Sequence, residues 1–311
     1  MSTTVSPGRS TWLTRFHAYT AEMYPLIPRL FLGYLVFFEM YFLVLLTSGE
    51  RRVHLGVGEA TVGFTIFAFL FNLRVADDFK DFKTDQELFP ARPLLSGRTN
   101  KRDLVIALVV LDTVTVAANL VFVRNYWFFA LLVGYGLLMS FWFFQRYRIQ
   151  RSLPLALVTH NPVQFVMNAY VVSFACQRYH LPLLSWNNLL ILCTLYFPGL
   201  IWEIARKVRA PEDETSYVTY SSLFGVRKPV LFILAVMAID FLTSALLIMQ
   251  LYSWAVVTVV AAYAWLVWNG LAFIKNPQRF RLVNRVIIYE YLAEGSMIVI
   301  IGAKLLGLGA A

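Results

Sequence analysis

Ten of the 18 acidic residues fall in two short segments. The first reads NLRVADDFKDFKTDQELFPARPLLSGRTNKRD. Asp77, Asp81 and Asp85 recur at i, i+4 and i+8, so a continuing helix places them on one face. Asp78 stands one turn before Asp81. Stacked carboxylates repel and need a cation. Hard oxygen donors in this number suit Mg²⁺, which takes a few carboxylates together with phosphate oxygens. Lys83, Arg92, Lys101 and Arg102 follow closely, as clamps for a diphosphate would. A solvated charged loop is the ordinary alternative, but four aspartates in helical register at the end of an apolar helix weigh against it.

The second segment reads WEIARKVRAPEDETSYVTYSSLFG. Glu203 is followed at i+4 by Lys207, with Arg206 beside it. Glu212, Asp213 and Glu214 come after Pro211, beyond an expected helix end. Glu203 is a candidate ligand for a second Mg²⁺, alone or with Glu214. Lys207 either pairs with Glu203 or stands in for a metal charge against the diphosphate. An ordinary i, i+4 ion pair is equally open.

Polar residues inside apolar stretches are scarce enough to be informative. Glu39, Asp112, Asp240, Glu290 and Glu294 are acids of this kind. His160, Asn161, Gln164 and Asn168 share one stretch, interrupted by Pro162. Asn161, Gln164 and Asn168 lie on one broad face, read here as looking into a chamber and steering a reacting species. Hydrogen bonding between helices is the alternative for each. No zinc spacing, Walker loop, dinucleotide glycine motif or nucleophile triad occurs. Cys176 and Cys193 make no disulfide framework.

The elements that carry these residues are apolar helices. Of 311 residues, 59% are hydrophobic and 14% charged, whereas a soluble domain carries about 25% charged residues. Too few charges remain to coat a large soluble core, so the chain reads as an integral membrane protein. A span needs about 20 apolar residues. Nine are expected, at 24–47, 57–76, 103–123, 126–144, 153–176, 186–205, 230–250, 253–274 and 286–307. Of the 27 Lys and Arg residues, 22 fall on one side of this topology, which places the N-terminus in the cytoplasm and the C-terminus opposite. That asymmetry accounts for the net charge of +9 without nucleic acid. The first 22 residues contain no long apolar run and so no cleavable signal peptide. The expectation is one all-α transmembrane domain over 1–311. Residues 1–23 are its cytoplasmic tail, and 77–102 and 206–229 are motif-bearing loops. Two four-helix halves plus one helix would surround a central chamber open to the cytoplasm.

DDFKDFKTD resembles the NDxxDxxxD motif of the UbiA superfamily of intramembrane prenyltransferases. Asp77 takes the place of the Asn, and Asp78, Asp81 and Asp85 match the three acids. ARPLLSG is similar to that family's RPLxSG, through Arg92, Pro93, Leu94, Ser96 and Gly97. The second segment resembles the family's second acidic motif but departs from it, because Lys207 stands where DxxxD has its second acid. Nine helices with both motifs on the cytoplasmic side also fit the family.

The resemblance implies Mg²⁺-dependent ionisation of an isoprenoid diphosphate. Asp77, Asp78, Asp81, Asp85, Glu203 and Glu214 would serve the metal, and Lys83, Arg92, Lys101 and Arg206 the diphosphate. The resulting allylic carbocation needs a dry, aromatic chamber. RxxDDxKDxxxD, from Arg74, and ExxRKxRAPEDE, from Glu203, look most like the terpene-cyclase branch. Transfer of the prenyl group to an aromatic or quinone-precursor acceptor is the alternative, and a secondary transporter a remote one. The implied setting is a bacterial inner membrane, with no obligate protein partner evident.

Overall fold

A computed structural model describes residues 11–215 and 217–308. The first ten residues of the expected tail, Arg9 among them, lie outside these. In chain order the helices are α1 (Trp12–Met23), α2 (Leu26–Ser48), α3 (Val57–Lys80), α4 (Phe82–Leu88), α5 (Lys101–Ala118), α6 (Tyr126–Ser140), α7 (Arg146–Arg151), α8 (Leu153–His160), α9 (Val163–Tyr179), α10 (Trp186–Cys193), α11 (Tyr196–Ala205), α12 (Tyr220–Phe224), α13 (Arg227–Leu251), α14 (Val256–Lys275) and α15 (Leu282–Leu305). No strand occurs among the described residues. Among the described residues, seven stretches are long and apolar enough to cross a bilayer: α2, α3, Lys101–Val123, Trp186–Ala205, α13, Ser253–Lys275 and α15. The chain is a multi-pass membrane protein.

The two remaining expected spans are interrupted. At 126–144, α6 stops at Ser140, and Trp142, Phe143 and Phe144 adopt φ of 54°, 48° and 56°. Each left-handed residue costs about 1–2 kcal/mol for an L side chain, so the right-handed helix cannot run through them. At 153–176 the break falls at Asn161–Pro162, where proline supplies no N–H to continue the ladder. The span at 186–205 also bends, at Thr194 and Leu195, the latter with φ of 61°.

The chain forms two compact units. One comprises the residues up to Phe37 with Leu55–Phe141; the other comprises Phe38–His54 with the residues from Trp142 onward. In the first unit, Trp12, Phe16, Tyr19 and Met23 recur at helical spacing along α1 and pack with Phe71, Val75 and Leu104. Thr11 caps the helix by accepting from the Thr14 N–H. Residues 12–23 of the expected tail are therefore a docked amphipathic helix. Arg15 locks it with a bidentate pair to Asp103, at 2.6 and 2.8 Å. In the same unit α2 and α3 approach closely at Gly33. A Cβ there would lie 3.0 Å from both the Gly63 carbonyl oxygen and the Phe67 nitrogen.

The second unit packs α11, α13, α14 and α15 around Ile201, Ile233, Met237, Leu266, Val286 and Tyr289. Asn168 is fully buried on α9. Its side-chain amide donates to the Leu192 and Thr194 carbonyls at 2.9 and 2.8 Å, and so satisfies groups freed by the bend between α10 and α11.

Candidate active site

The first acidic segment is built by the end of α3, the short α4 and the turn that follows. Asp81 stands at the bend between the helices, with φ −96° and ψ 9°. Backbone bonds from Asp81 to Asp77 and from Asp85 to Asp81 preserve the i, i+4 register across it. The carboxylates nevertheless divide. Asp78 is buried and, with Asp85, lines a small cleft together with Tyr19, Arg92, Pro93 and Leu94. Asp77 is exposed and pairs with Lys80 at 2.8 Å. The cleft takes Asp78 and Asp85, which at seven positions apart lie nearly two full turns along the chain, while Asp77 turns outward.

Each cleft carboxylate already has partners. Arg74 and the Tyr19 hydroxyl both donate to Asp78, the latter at 2.6 Å. Arg92 donates to Asp85. Burial and the Asp78 carboxylate together push the Tyr19 phenol well up. Asp81 has no ion pair among the described residues. Burial, with Asp77 next in weight, raises its carboxyl above the usual carboxylate range.

The turn after α4 is closed by bonds from the Leu95 and Ser96 N–H groups to the Arg92 carbonyl and from Thr99 to that of Pro93. Gly97 sits at φ +77°, a conformation that accounts for glycine in this stretch. Pro93 and Leu94 bring the same stretch to the cleft. Lys83 and Lys101 are exposed, and the Lys101 ammonium lies 3.9 Å from the Phe82 ring centroid.

In the second unit Glu203 is held between two cations. Arg206 donates to it at 2.5 and 2.8 Å, and Lys207 lies 2.9 Å away. Glu214 accepts from Thr219 at 2.7 Å and from Ser221 at 2.6 Å, so it ties its loop to the start of α12. Gln164 donates to Asn168 at 3.1 Å, while the Asn161 amide nitrogen is buried and has no partner among the described residues. Of that expected polar face, Asn168 is engaged by backbone and Asn161 keeps a free donor. His160 lies beside Trp142 and Phe143, with ring centroids 5.3 and 5.7 Å away. Asp112 accepts from Asn72 at 2.6 Å in the first unit.

Among the described residues, no three His, Cys, Asp or Glu side chains are arranged to hold a metal ion. The donor chemistry of the cleft still suits Mg²⁺. Two hard carboxylates share it, and a Mg²⁺ ion there would take its remaining ligands from water and phosphate oxygens. Two partners of Asp78 are not among the residues expected in the site. Arg74 enters the sequence only as part of a pattern. Tyr19 was signalled by the Trp12, Phe16, Tyr19 and Met23 spacing, which marks an amphipathic helix.

No protein-family model matches the chain, and no curated protein matches it. Among solved structures, it is similar to that of a digeranylgeranylglyceryl phosphate synthase in membranes. The TM-score is 0.62 at 12% identity, over 95% of this chain and 99% of the other. That likeness extends over nearly all of both chains, and the two share an all-helical fold.

Proposed function

We propose that this protein ionises an isoprenoid diphosphate within the membrane. The observation that carries the reading is the convergence of Asp78, Asp85 and Arg92 with Pro93 and Leu94 on one cleft. Carboxylates and an arginine side by side suit a metal–diphosphate headgroup. Mg²⁺ held by Asp78, Asp81 and Asp85 would supply positive charge against the diphosphate oxygens. Arg92 exchanges its bond to Asp85 for one to the leaving group, and Lys83 and Lys101 add charge at the rim. The allylic C–O bond breaks heterolytically, and both electrons leave with the diphosphate oxygen. Asp77, outside the cleft, serves through its charge on Asp81.

Two fates of the allylic cation are carried by different observations. Likeness to a synthase structure favours transfer to an acceptor nucleophile. The altered second motif, in which Lys207 stands where a second acid is expected and pairs with Glu203, favours the cyclase reading, in which the cation is attacked by its own double bonds and then loses a proton. Glu214 belongs to the loop that follows this second motif. Asn161 offers its free amide to the reacting chain, and Asn168 positions the backbone.

The test is to incubate the purified protein with Mg²⁺ and prenyl diphosphates of increasing length, with and without acceptors. Diphosphate release that Asp81→Ala abolishes is the expected result. A cyclic product without acceptor selects cyclisation, and product only with an acceptor selects transfer. An undiminished rate in Asp81→Ala overturns the site.

A further inference from the structure

Four acids of the second unit take no part in this chemistry. Glu39 lies on α2, Asp240 on α13, and Glu290 and Glu294 on α15. Glu39 follows Leu26 by 13 positions, Asp240 follows Arg227 by 13, and Glu294 follows Leu282 by 12. At 1.5 Å per residue each stands roughly 20 Å along its helix, deep in a hydrocarbon layer about 30 Å thick. Glu39 is 4% exposed and Asp240 1%. Among the described residues none of the four has a basic ion-pair partner.

The contacts between them lack a donor. Glu39 and Glu294 are in mutual hydrogen-bond contact. Yet Glu39 Oε1 and Glu294 Oε2 are buried with no protein N–H or O–H directed at them. Two ionised carboxylates are both pure acceptors, so such a contact requires a hydrogen between them. Asp240 accepts from the Tyr289 hydroxyl at 2.6 Å through Oδ2, which leaves buried Oδ1 without a partner. Glu290 Oε1 is in the same condition. Cys193, on α10, is the further titratable group facing Asp240.

We infer that Glu39, Asp240, Glu290 and Glu294 form a proton-binding site deep in the membrane, with one proton shared between Glu39 and Glu294. A proton satisfies both acceptors and leaves the pair with one negative charge in place of two, which matters at membrane depth with no basic side chain paired to it. Binding forms one carboxyl O–H bond and one hydrogen bond, and release breaks both. Asp240 Oδ1 and Glu290 Oε1 are further acceptors for a proton that leaves the pair. A metal ion is not the ligand the geometry suits, since no three of these side chains are arranged around a common point. The inference is independent of the diphosphate reading, because its residues and its test involve no prenyl substrate.

The test uses full-length protein in lipid nanodiscs at neutral pH. Infrared spectra in H₂O and D₂O should show the carbonyl band of a protonated carboxyl that shifts with deuterium. The band should weaken in Glu39→Gln and in Glu294→Gln. Unmodified protein treated with dicyclohexylcarbodiimide, a lipophilic reagent for protonated carboxyls, should carry adducts at Glu39 or Glu294 by peptide mass spectrometry. That labelling needs no variant and so does not depend on how the variants fold. Absence of both the band and the adducts overturns the site. So does a band that vanishes when sodium replaces choline at constant pH, which would make the ligand a metal cation.

Discussion

The Tyr19 hydroxyl donates to Asp78 Oδ2 across 2.6 Å, so the N-terminal helix holds the central carboxylate of the first acidic segment. Both side chains are buried, Tyr19 fully, and α1 is anchored on the same side by Arg15 to Asp103 and Thr99 to the Arg15 carbonyl. Asp78 is thereby aimed at the cleft before any ligand arrives.

Tyr19→Phe should leave a buried acceptor short of one donor. A hydrogen bond to a charged group contributes about 1.5–3 kcal/mol, so a clear fall in thermal unfolding temperature is expected in detergent. Diphosphate release should fall with it, because Asp78 loses its orientation. An unchanged unfolding temperature together with unchanged turnover would show the bond to be dispensable.

Asp81 has no ion pair among the described residues, and its carboxyl is raised by burial and by Asp77. A raised carboxyl pKa means that the folded state binds more protons than the unfolded one. Stability then falls as pH rises from the ordinary carboxylate range through the raised value. Asp81→Asn removes that loss. Melting curves at several pH values should show the variant more stable at neutral pH and equal to the parent in acid. The opposite order at neutral pH would contradict the burial argument.

The same Asp81→Asn variant should lose diphosphate release by about 100-fold or more, as expected for removal of a group that stabilises transition-state charge. Chelation of Mg²⁺ should have a comparable effect on the parent. A variant both more stable and inactive is the outcome expected of a carboxylate kept for chemistry.

If the Lys207 ammonium leaves Glu203 for a phosphate when substrate binds, Lys207→Gln should raise KM for the prenyl diphosphate by about tenfold, with kcat less affected. Glu203 keeps its two bonds to Arg206 in this variant. Unchanged KM would reduce Lys207 to a salt-bridge partner of Glu203.

Gly33→Ala should destabilise the first unit by about 1–3 kcal/mol, since the added methyl meets backbone that cannot move aside. Gly134→Ala, inside α6 with open space around it, should instead stabilise by about 0.5–1 kcal/mol in the same unfolding measurement.

Composition alone determined that the chain lives in a membrane, because 14% charged residues cannot coat a soluble core of this size. Periodicity located the apolar helices, and the spacing of Asp77, Asp78, Asp81 and Asp85 marked the end of α3 as a place for chemistry. These are properties of neighbours along the chain, so local sequence carries them.

Tertiary structure decided the rest. Asp78 and Asp85 reach the cleft while Asp77 turns to Lys80, because the bend at Asp81 and the docking of α1 choose which face is covered. Tyr19 lies 59 residues before Asp78, a separation across which no helical period speaks. Breaks at Phe143 and Leu195 likewise come from left-handed residues that carry no glycine to announce them. Partners distant in sequence are selected by packing, and packing exists only once the helices have met.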